Sequence, residues 1–226
     1  MVSPARYDGL ADWYDTWSER PAVASFSGDA AAAVLRLLGP GPGRCLDVGC
    51  GGGRLLVELL EAGWTPSGAD VSGDQLRVAA GRAGEVAEAL VRADAVALPF
   101  ADGEFDAVVS TFTHTDLDAP GDAFRECARV LRARGRFVYA GTHPCFVGPY
   151  AHATPDGVLV PPGYWDDRLH FDAPGFGDGV RRLAGARHVP LAALLNYVCA
   201  AGLMLDRVEE LCGDPPGIIA FRAVRT

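Results

Sequence analysis

Apolar positions change their spacing twice along this chain, and the two changes divide it. Residues 1–28 mix aromatics (Tyr7, Trp13, Tyr14, Trp17, Phe26) with acids and predict a short helix or two. Asp29 is placed as an N-cap for the alanine-rich run to Leu38, which Gly39-Pro40-Gly41-Pro42-Gly43 terminates. From Arg44 short apolar runs alternate with amphipathic segments. They predict strands at 44–48, 66–70, 88–92, 105–111 and 135–141, with helices near 53–62, 73–83 and 119–133. That alternation is the signature of a parallel sheet covered by helices on both faces, an α/β fold.

The alternation breaks from Thr142 to about His188, a Gly- and Pro-rich stretch carrying Trp165, Phe171 and Phe176. It is too long for an ordinary connection and is expected to be a lid or substrate-binding insertion. Pro190 then starts a helix whose body is 191–201, Gly202 closes it, and strands at 204–210 and 217–224 finish the chain. The expected organisation is one domain, 1–226. It consists of an N-terminal helical lid (1–38), a core (44–141), the insertion (142–188) and a closing helix with its strands (189–226).

Composition narrows the chemistry. With 226 residues and 49% apolar content the chain can bury one substantial core. A formal net charge of −9 gives no electrostatic footprint for nucleic acid or an anionic membrane, so a small-molecule partner is expected instead. All 20 basic side chains are Arg, which excludes Schiff-base and phosphate-loop lysines. The six cysteines are scattered without a Cys-x-x-Cys pair, and neither disulfides nor a metal site is expected. No apolar run approaches the ~20 residues of a membrane span, and a cytoplasmic protein is the default expectation.

The stretch 45–54, CLDVGCGGGR, runs from strand into helix. Glycine serves there where the backbone turns with positive φ or where a ligand must approach closely, and the following helix offers unpaired N–H groups to an anion. A nicotinamide-dinucleotide loop prefers G-x-G-x-x-G, whereas here the third position after Gly51 is Arg54. In the pattern Asp47-x-Gly49-x-Gly51-x-Gly53 the chain resembles the class I, Rossmann-like S-adenosylmethionine-dependent methyltransferases. The resemblance extends over about 44–141, through Gly68-Ala69-Asp70-Val71-Ser72, Arg92-Ala93-Asp94-Ala95, Leu98-Pro99-Phe100 and Gly135-Arg136-Phe137-Val138.

The resemblance implies a three-layer sandwich around a seven-stranded, mostly parallel sheet whose last strand is antiparallel. The cofactor, S-adenosyl-L-methionine, leaving as S-adenosyl-L-homocysteine, would lie across the C-terminal strand ends. Its contacts would come from Tyr14, Asp47, Gly49, Cys50, Gly51, Asp70, Val71, Gln75, Asp94, Ala95 and Ser110. Asp70 would accept the ribose hydroxyls and Asp94 would face the adenine amino group, while Ser72 caps the next helix. Gln75 departs from the Met that many relatives place against the adenine.

Methyl transfer from a sulfonium is an in-line displacement in which positioning and exclusion of water supply most of the catalysis, and a base is optional. His114, after the fourth strand, and His143, after the fifth, are the candidate bases; each has a plain alternative role as a hydrogen-bonding loop residue. His152, His170 and His188 are expected in solvated loops. Tyr150, Tyr164 and Trp165 are candidates to roof a substrate or to pack beneath a lid. The expected activity is methylation of an oxygen, nitrogen or carbon nucleophile in a natural product or metabolite. Methylation of a protein and a non-methylating use of the bound cofactor are the alternatives.

Overall fold

The computed structural model describes residues 5–154, 157–160, 162–173 and 178–226, which leaves Phe176 outside it, as is the side chain of His152. Two helices, α1 (Ala11–Ser18) and α2 (Pro21–Leu38), precede the sheet. Then follow β1 (Arg44–Val48), α3 (Arg54–Glu61), β2 (Thr65–Asp70), α4 (Gly73–Ala83), β3 (Leu90–Arg92), β4 (Phe105–Thr111), α5 (Pro120–Val130) and β5 (Leu131–Thr142). The insertion holds two small antiparallel pairs, β6 (His152–Thr154) with β7 (Gly157–Leu159) and β8 (Leu169–His170) with β9 (Ala186–Arg187), and a single helical turn, α6 (Arg181–Ala184). The chain closes with α7 (Leu191–Ala200), β10 (Leu203–Leu211) and β11 (Ile218–Arg225).

The main sheet has seven strands in the order β10-β11-β5-β4-β1-β2-β3, and only β11 runs antiparallel to its neighbours. The period-2 alternation within each strand builds two cores. Leu46, Val48, Val108, Phe137, Tyr139 and Phe221 face one side, where Phe124, Leu194 and Val198 of α5 and α7 cover them. Cys45, Ala107, Val109, Val138, Ala140 and Ala220 face the other, under Ala30, Ala33, Val34 and Leu37 of α2 and Leu55 and Leu59 of α3. The seven-stranded Rossmann-like sandwich expected from the sequence is therefore the fold observed.

Four local expectations are corrected. Asp29 is not an N-cap: α2 starts eight residues earlier, with Pro21 in its first turn, and Asp29 accepts a hydrogen bond from the Cys212 thiol at 3.1 Å. This 18-residue helix is long and apolar enough, by length and composition alone, to span a membrane, contrary to the expectation for the chain; its buried face lies on the sheet. The segment before Leu90 is a 3-10 helix, Gly84–Ala89, rather than the start of a strand. Finally, α5 ends at Val130 and not at 133. Arg225 of β11 donates to the carbonyls of Arg129 (2.9 Å) and Leu131, which occupies acceptors that a longer helix would have bonded internally.

Candidate active site

The strand order reverses between β4 and β1: β1, β2 and β3 proceed one way across the sheet while β4 and β5 lie on the other side. A crevice opens at such a reversal, outside the C-terminal strand ends. The floor of the crevice is the loop after β1. Gly49 sits at φ +74°, its N–H held by the Ala69 carbonyl at 2.8 Å, and a Cβ there would run into Cγ2 of Thr113. Gly53, at φ +76°, caps α3, and a Cβ there would lie 3.0 Å from Cβ of Ala79. Both positions need glycine for backbone and space together.

Two adjoining cavities occupy the crevice. The larger, about 600 Å³, is lined on the β2–β3 side by Asp70, Val71, Asp94, Ala95 and Leu98, and on the β4 side by Thr113 and Asp116. The smaller, about 230 Å³, lies over the glycine loop against Asp47, Cys50, Arg54 and Arg82. Tyr14, Gly49, Gly51 and Gln75 border both.

The carboxylates differ in what already holds them. Asp70 takes the Gly51 N–H on one oxygen and the Ser72 N–H on the other, each at 2.9 Å. A carboxylate has about four acceptor sites, so it retains capacity for two hydroxyl donors. Burial pushes its carboxyl up, and the two backbone donors oppose that. Asp94 accepts only from the Val96 N–H, at 3.2 Å. Asp47 is 1% exposed, and its Oδ1 is buried without a partner among the described residues. Burial, followed by repulsion from Asp70, pushes its carboxyl up to about 8. The Nε2 of buried Gln75 is likewise without a partner.

The chain's beginning covers the larger cavity. Asp8 accepts from the Ser72 hydroxyl at 2.7 Å, and the Gly9 N–H donates to Asp74 at 2.6 Å. These two bonds pin the segment before α1 to the first turn of α4. Tyr7 and Tyr14 meet edge to face, 5.6 Å between centroids. The Tyr7 hydroxyl lies 3.5 Å from both carboxylate oxygens of Asp116, and Arg181 of α6 donates to Asp116 and, at 3.5 Å, to Tyr7. Burial raises the Asp116 carboxyl while the Arg181 guanidinium pulls it back.

Of the residues singled out in the sequence, Tyr14, Asp47, Gly49, Cys50, Gly51, Asp70, Val71, Gln75, Asp94 and Ala95 come together along the two cavities. Ser110 does not line either. It is buried beneath them, donating to the Val48 carbonyl at 2.7 Å and bonding Thr113 at 2.8 Å, so it fastens β4 to β1.

Neither candidate base lines either of the two cavities, and each is held by a partner within the fold. His114 is 2% exposed, hydrogen-bonds the Tyr139 hydroxyl, and burial pushes its imidazole down to about 3. His143 is 1% exposed; its Nε2 lies 2.7 Å from Glu210, and its Nδ1 accepts from the Cys145 N–H at 3.2 Å. Each ring has a structural task. Replacing His114 with Leu leaves a buried Tyr139 hydroxyl unpartnered, which costs about 1–3 kcal/mol. At ~2–4 °C per kcal/mol for a chain of this size, thermal unfolding is expected to fall by roughly 2–12 °C. The pH profile of turnover is expected to stay unchanged; loss of a limb from that profile would restore the catalytic assignment.

The aromatics of the insertion pack on one another instead of roofing the cavities. Tyr150 bonds the Asp166 carbonyl at 2.5 Å and His170 at 3.0 Å, and Tyr150 and Tyr164 both pack on His188, which is buried rather than solvated. Trp165 is 76% exposed. Arg6, Tyr7, Thr113, Asp116 and Arg181 are among the lining residues that the sequence pattern did not mark.

A family model described as a methyltransferase domain matches residues 46–139. A malonyl-[acyl-carrier protein] O-methyltransferase of Geobacter sulfurreducens is 38% identical, over 99% of this chain and 95% of that protein. The chain belongs to the class I S-adenosylmethionine-dependent methyltransferases. A demethylmenaquinone methyltransferase of Roseiflexus castenholzii is 35% identical over 57% of this chain and 55% of its own length, so that match spans about half of the relative. The crystal structure of an S-adenosylmethionine-dependent methyltransferase from Mesorhizobium loti shares the fold, with a TM-score of 0.67, 22% identity and coverage of 87% of this chain and 96% of that one.

The crevice fits the family's cofactor, S-adenosyl-L-methionine. A diol can be held by the remaining lone pairs of Asp70, and the unpartnered Oδ1 of Asp47 is an acceptor that an ammonium group satisfies. The absence of side chains at Gly49 and Gly51 leaves the room between them.

Methyltransferases built this way should couple cofactor binding to a proton at Asp47. Without a cation beside it, the carboxyl holds its proton up to about pH 8. A bound ammonium favours the ionised form, so binding at neutral pH releases a proton. Affinity for S-adenosylmethionine is expected to strengthen from pH 5.5 to 7.5, with proton release visible by calorimetry in buffers of different ionisation enthalpy. In the cofactor-free protein the sign is opposite. Between about pH 4 and 8 the folded state holds a proton that the unfolded chain has lost, so this group's contribution to stability falls as pH rises. Uptake of protons on binding would overturn the assignment.

Proposed function

We propose that this protein transfers the methyl group of S-adenosyl-L-methionine to an oxygen, nitrogen or carbon nucleophile of a small molecule, a natural product or metabolite. The observation that carries the reading is the continuity of the crevice. A site fitted to the cofactor opens, past Gly49, into a covered space walled by Tyr7, Thr113, Asp116 and Arg181. Bound there, the sulfonium supplies an already activated methyl group.

The chain's own residues bind and orient. Asp70 accepts the ribose hydroxyl protons. Asp94, Val71 and Ala95 border the adenine end, and Asp47 sits at the amino-acid end. Tyr7 and Tyr14, pinned by Asp8 and Gly9, exclude water from the donor. The six cysteines are all free, which supports a reducing compartment and so a cytoplasmic enzyme.

The relatives' printed names differ in acceptor, one a demethylmenaquinone and one a malonyl-acyl-carrier protein, so they do not fix the acceptor for this chain. The test is to incubate the protein with S-adenosylmethionine and an acceptor panel, quantifying S-adenosylhomocysteine and methylated product together. Stoichiometric appearance of both is expected. Failure to bind S-adenosylhomocysteine at all sinks the reading, and a changed acceptor without S-adenosylhomocysteine formation would favour a non-methylating reaction.

A further inference from the structure

At the end of the larger cavity away from Asp94, segments distant in sequence bring charged groups together. Arg6 donates through Nη2 to Asp118 at 2.8 Å, and Arg187 of β9 donates to the same carboxylate at 2.9 Å. Arg181 donates through Nη1 to Asp116. Three guanidiniums therefore meet Asp116 and Asp118 at this end, while Asp70 and Asp94 line the cavity elsewhere. Arg6 and Arg181 both line the cavity, and Nη1 of Arg6 is buried with no hydrogen-bond partner among the described residues.

A buried guanidinium N–H without an acceptor is costly, and what relieves it is an anion. The planar fork of an arginine matches a planar two-oxygen group, and the Tyr7 hydroxyl, which accepts from Arg181 and lies against Asp116, borders the same place. A singly charged carboxylate meets less repulsion from Asp116 and Asp118 than a phosphate dianion would. The cofactor's own carboxylate has cations closer to its place, because Arg54 and Arg82 line the smaller cavity with Asp47.

We infer that the methyl acceptor carries a carboxylate, and that Arg6, Arg181 and Tyr7 form the subsite that holds it. The inference rests on the methyltransferase reading and deepens it. It accords with the histidines lying outside the cavity, since a group already anionic at neutral pH can be held without one.

The test is calorimetry on the full chain saturated with S-adenosylhomocysteine. The probes are straight-chain mono- and dicarboxylates of three to eight carbons, the matching primary amides, and inorganic phosphate. At least one carboxylate is expected to bind about tenfold or more tightly than its amide, with affinity falling as salt rises. Arg6→Gln is expected to weaken that carboxylate about tenfold while leaving S-adenosylhomocysteine affinity within twofold. Arg181→Lys, which keeps a cation beside Asp116, is expected to weaken it less than Arg181→Gln. The two Arg181 variants guard against a simple folding defect.

Equal binding of amides, preference for phosphate, or no carboxylate binding by a protein that does bind S-adenosylhomocysteine would overturn the inference and leave the methyltransferase reading intact. If Arg6→Gln weakens S-adenosylhomocysteine as much as the carboxylate, the guanidiniums serve the cofactor and the inference fails. Failure of the wild-type chain to bind S-adenosylhomocysteine would remove the reading beneath it.

Discussion

Replacing Gly49 with Ala is expected to weaken S-adenosylhomocysteine binding at least about 100-fold and to lower the thermal midpoint by roughly 5–15 °C. Two costs combine. An alanine at φ +74° carries the left-handed penalty of about 1–2 kcal/mol. Its Cβ also meets Cγ2 of Thr113, so either the loop after β1 or the segment after β4 must move. Both border the two cavities, and a shift of the floor is felt by donor and acceptor alike. The φ penalty is carried by the free and the bound protein alike and falls on stability; since 1.4 kcal/mol is tenfold in affinity, a displacement of the floor that costs the bound state about 3 kcal/mol gives the expected loss of binding. Thr113→Ser removes the offending methyl group, so in the double variant part of the loss should return, but not the part that belongs to φ. Calorimetry and thermal melts on the four proteins measure this. Wild-type affinity in Gly49→Ala would show that the loop does not shape the site.

The second large effect is expected at Asp70. Its carboxylate accepts the Gly51 and Ser72 N–H groups at once, so it sets the approach of the glycine loop to the start of α4 before any ligand arrives. Asn keeps the volume but turns one acceptor into a donor, which must face one of those two N–H groups. Both the preformed geometry and the charge-assisted bonds that the carboxylate would give a ribose are then lost, each of the latter about 1.5–3 kcal/mol. Asp70→Asn is expected to raise the cofactor's KM and the S-adenosylhomocysteine Kd about 10- to 100-fold. Turnover at saturating cofactor should stay within a few-fold, since the group binds donor and transition state alike. A collapse of kcat with KM unchanged would place Asp70 in the chemistry instead.

The glycine-loop wall of these cavities was legible because its information is local. Gly49, Gly51 and Gly53 stand in one strand-to-helix turn, and Asp70 and Asp94 end strands, or nearly so, whose positions the apolar period fixes. The wall formed by Arg6, Tyr7, Asp116 and Arg181 was not, because these residues come from three segments separated by up to 175 residues. Nothing in the text around Arg181 distinguishes it from its neighbour Arg182, yet the first reaches Asp116 while the second is exposed.

The histidines show the limit most plainly. Both follow the strand ends where a base was expected, but position along a strand does not fix where a ring points. His143 is turned to Glu210 on β10, and His114 to Tyr139 on β5. Those partners exist only once β10, β11 and β5 have paired.

By itself, then, the sequence determined the α/β class, the succession of the main strands and the donor loop. Each is written in short-range periodicity or in glycines whose φ angles few other residues tolerate. The tertiary structure decided the rest: where α2 starts and α5 ends, which strand-end side chains face the crevice, and which charges meet across it. Those outcomes depend on partners that only packing brings within hydrogen-bond reach, and the period of a strand carries no record of them.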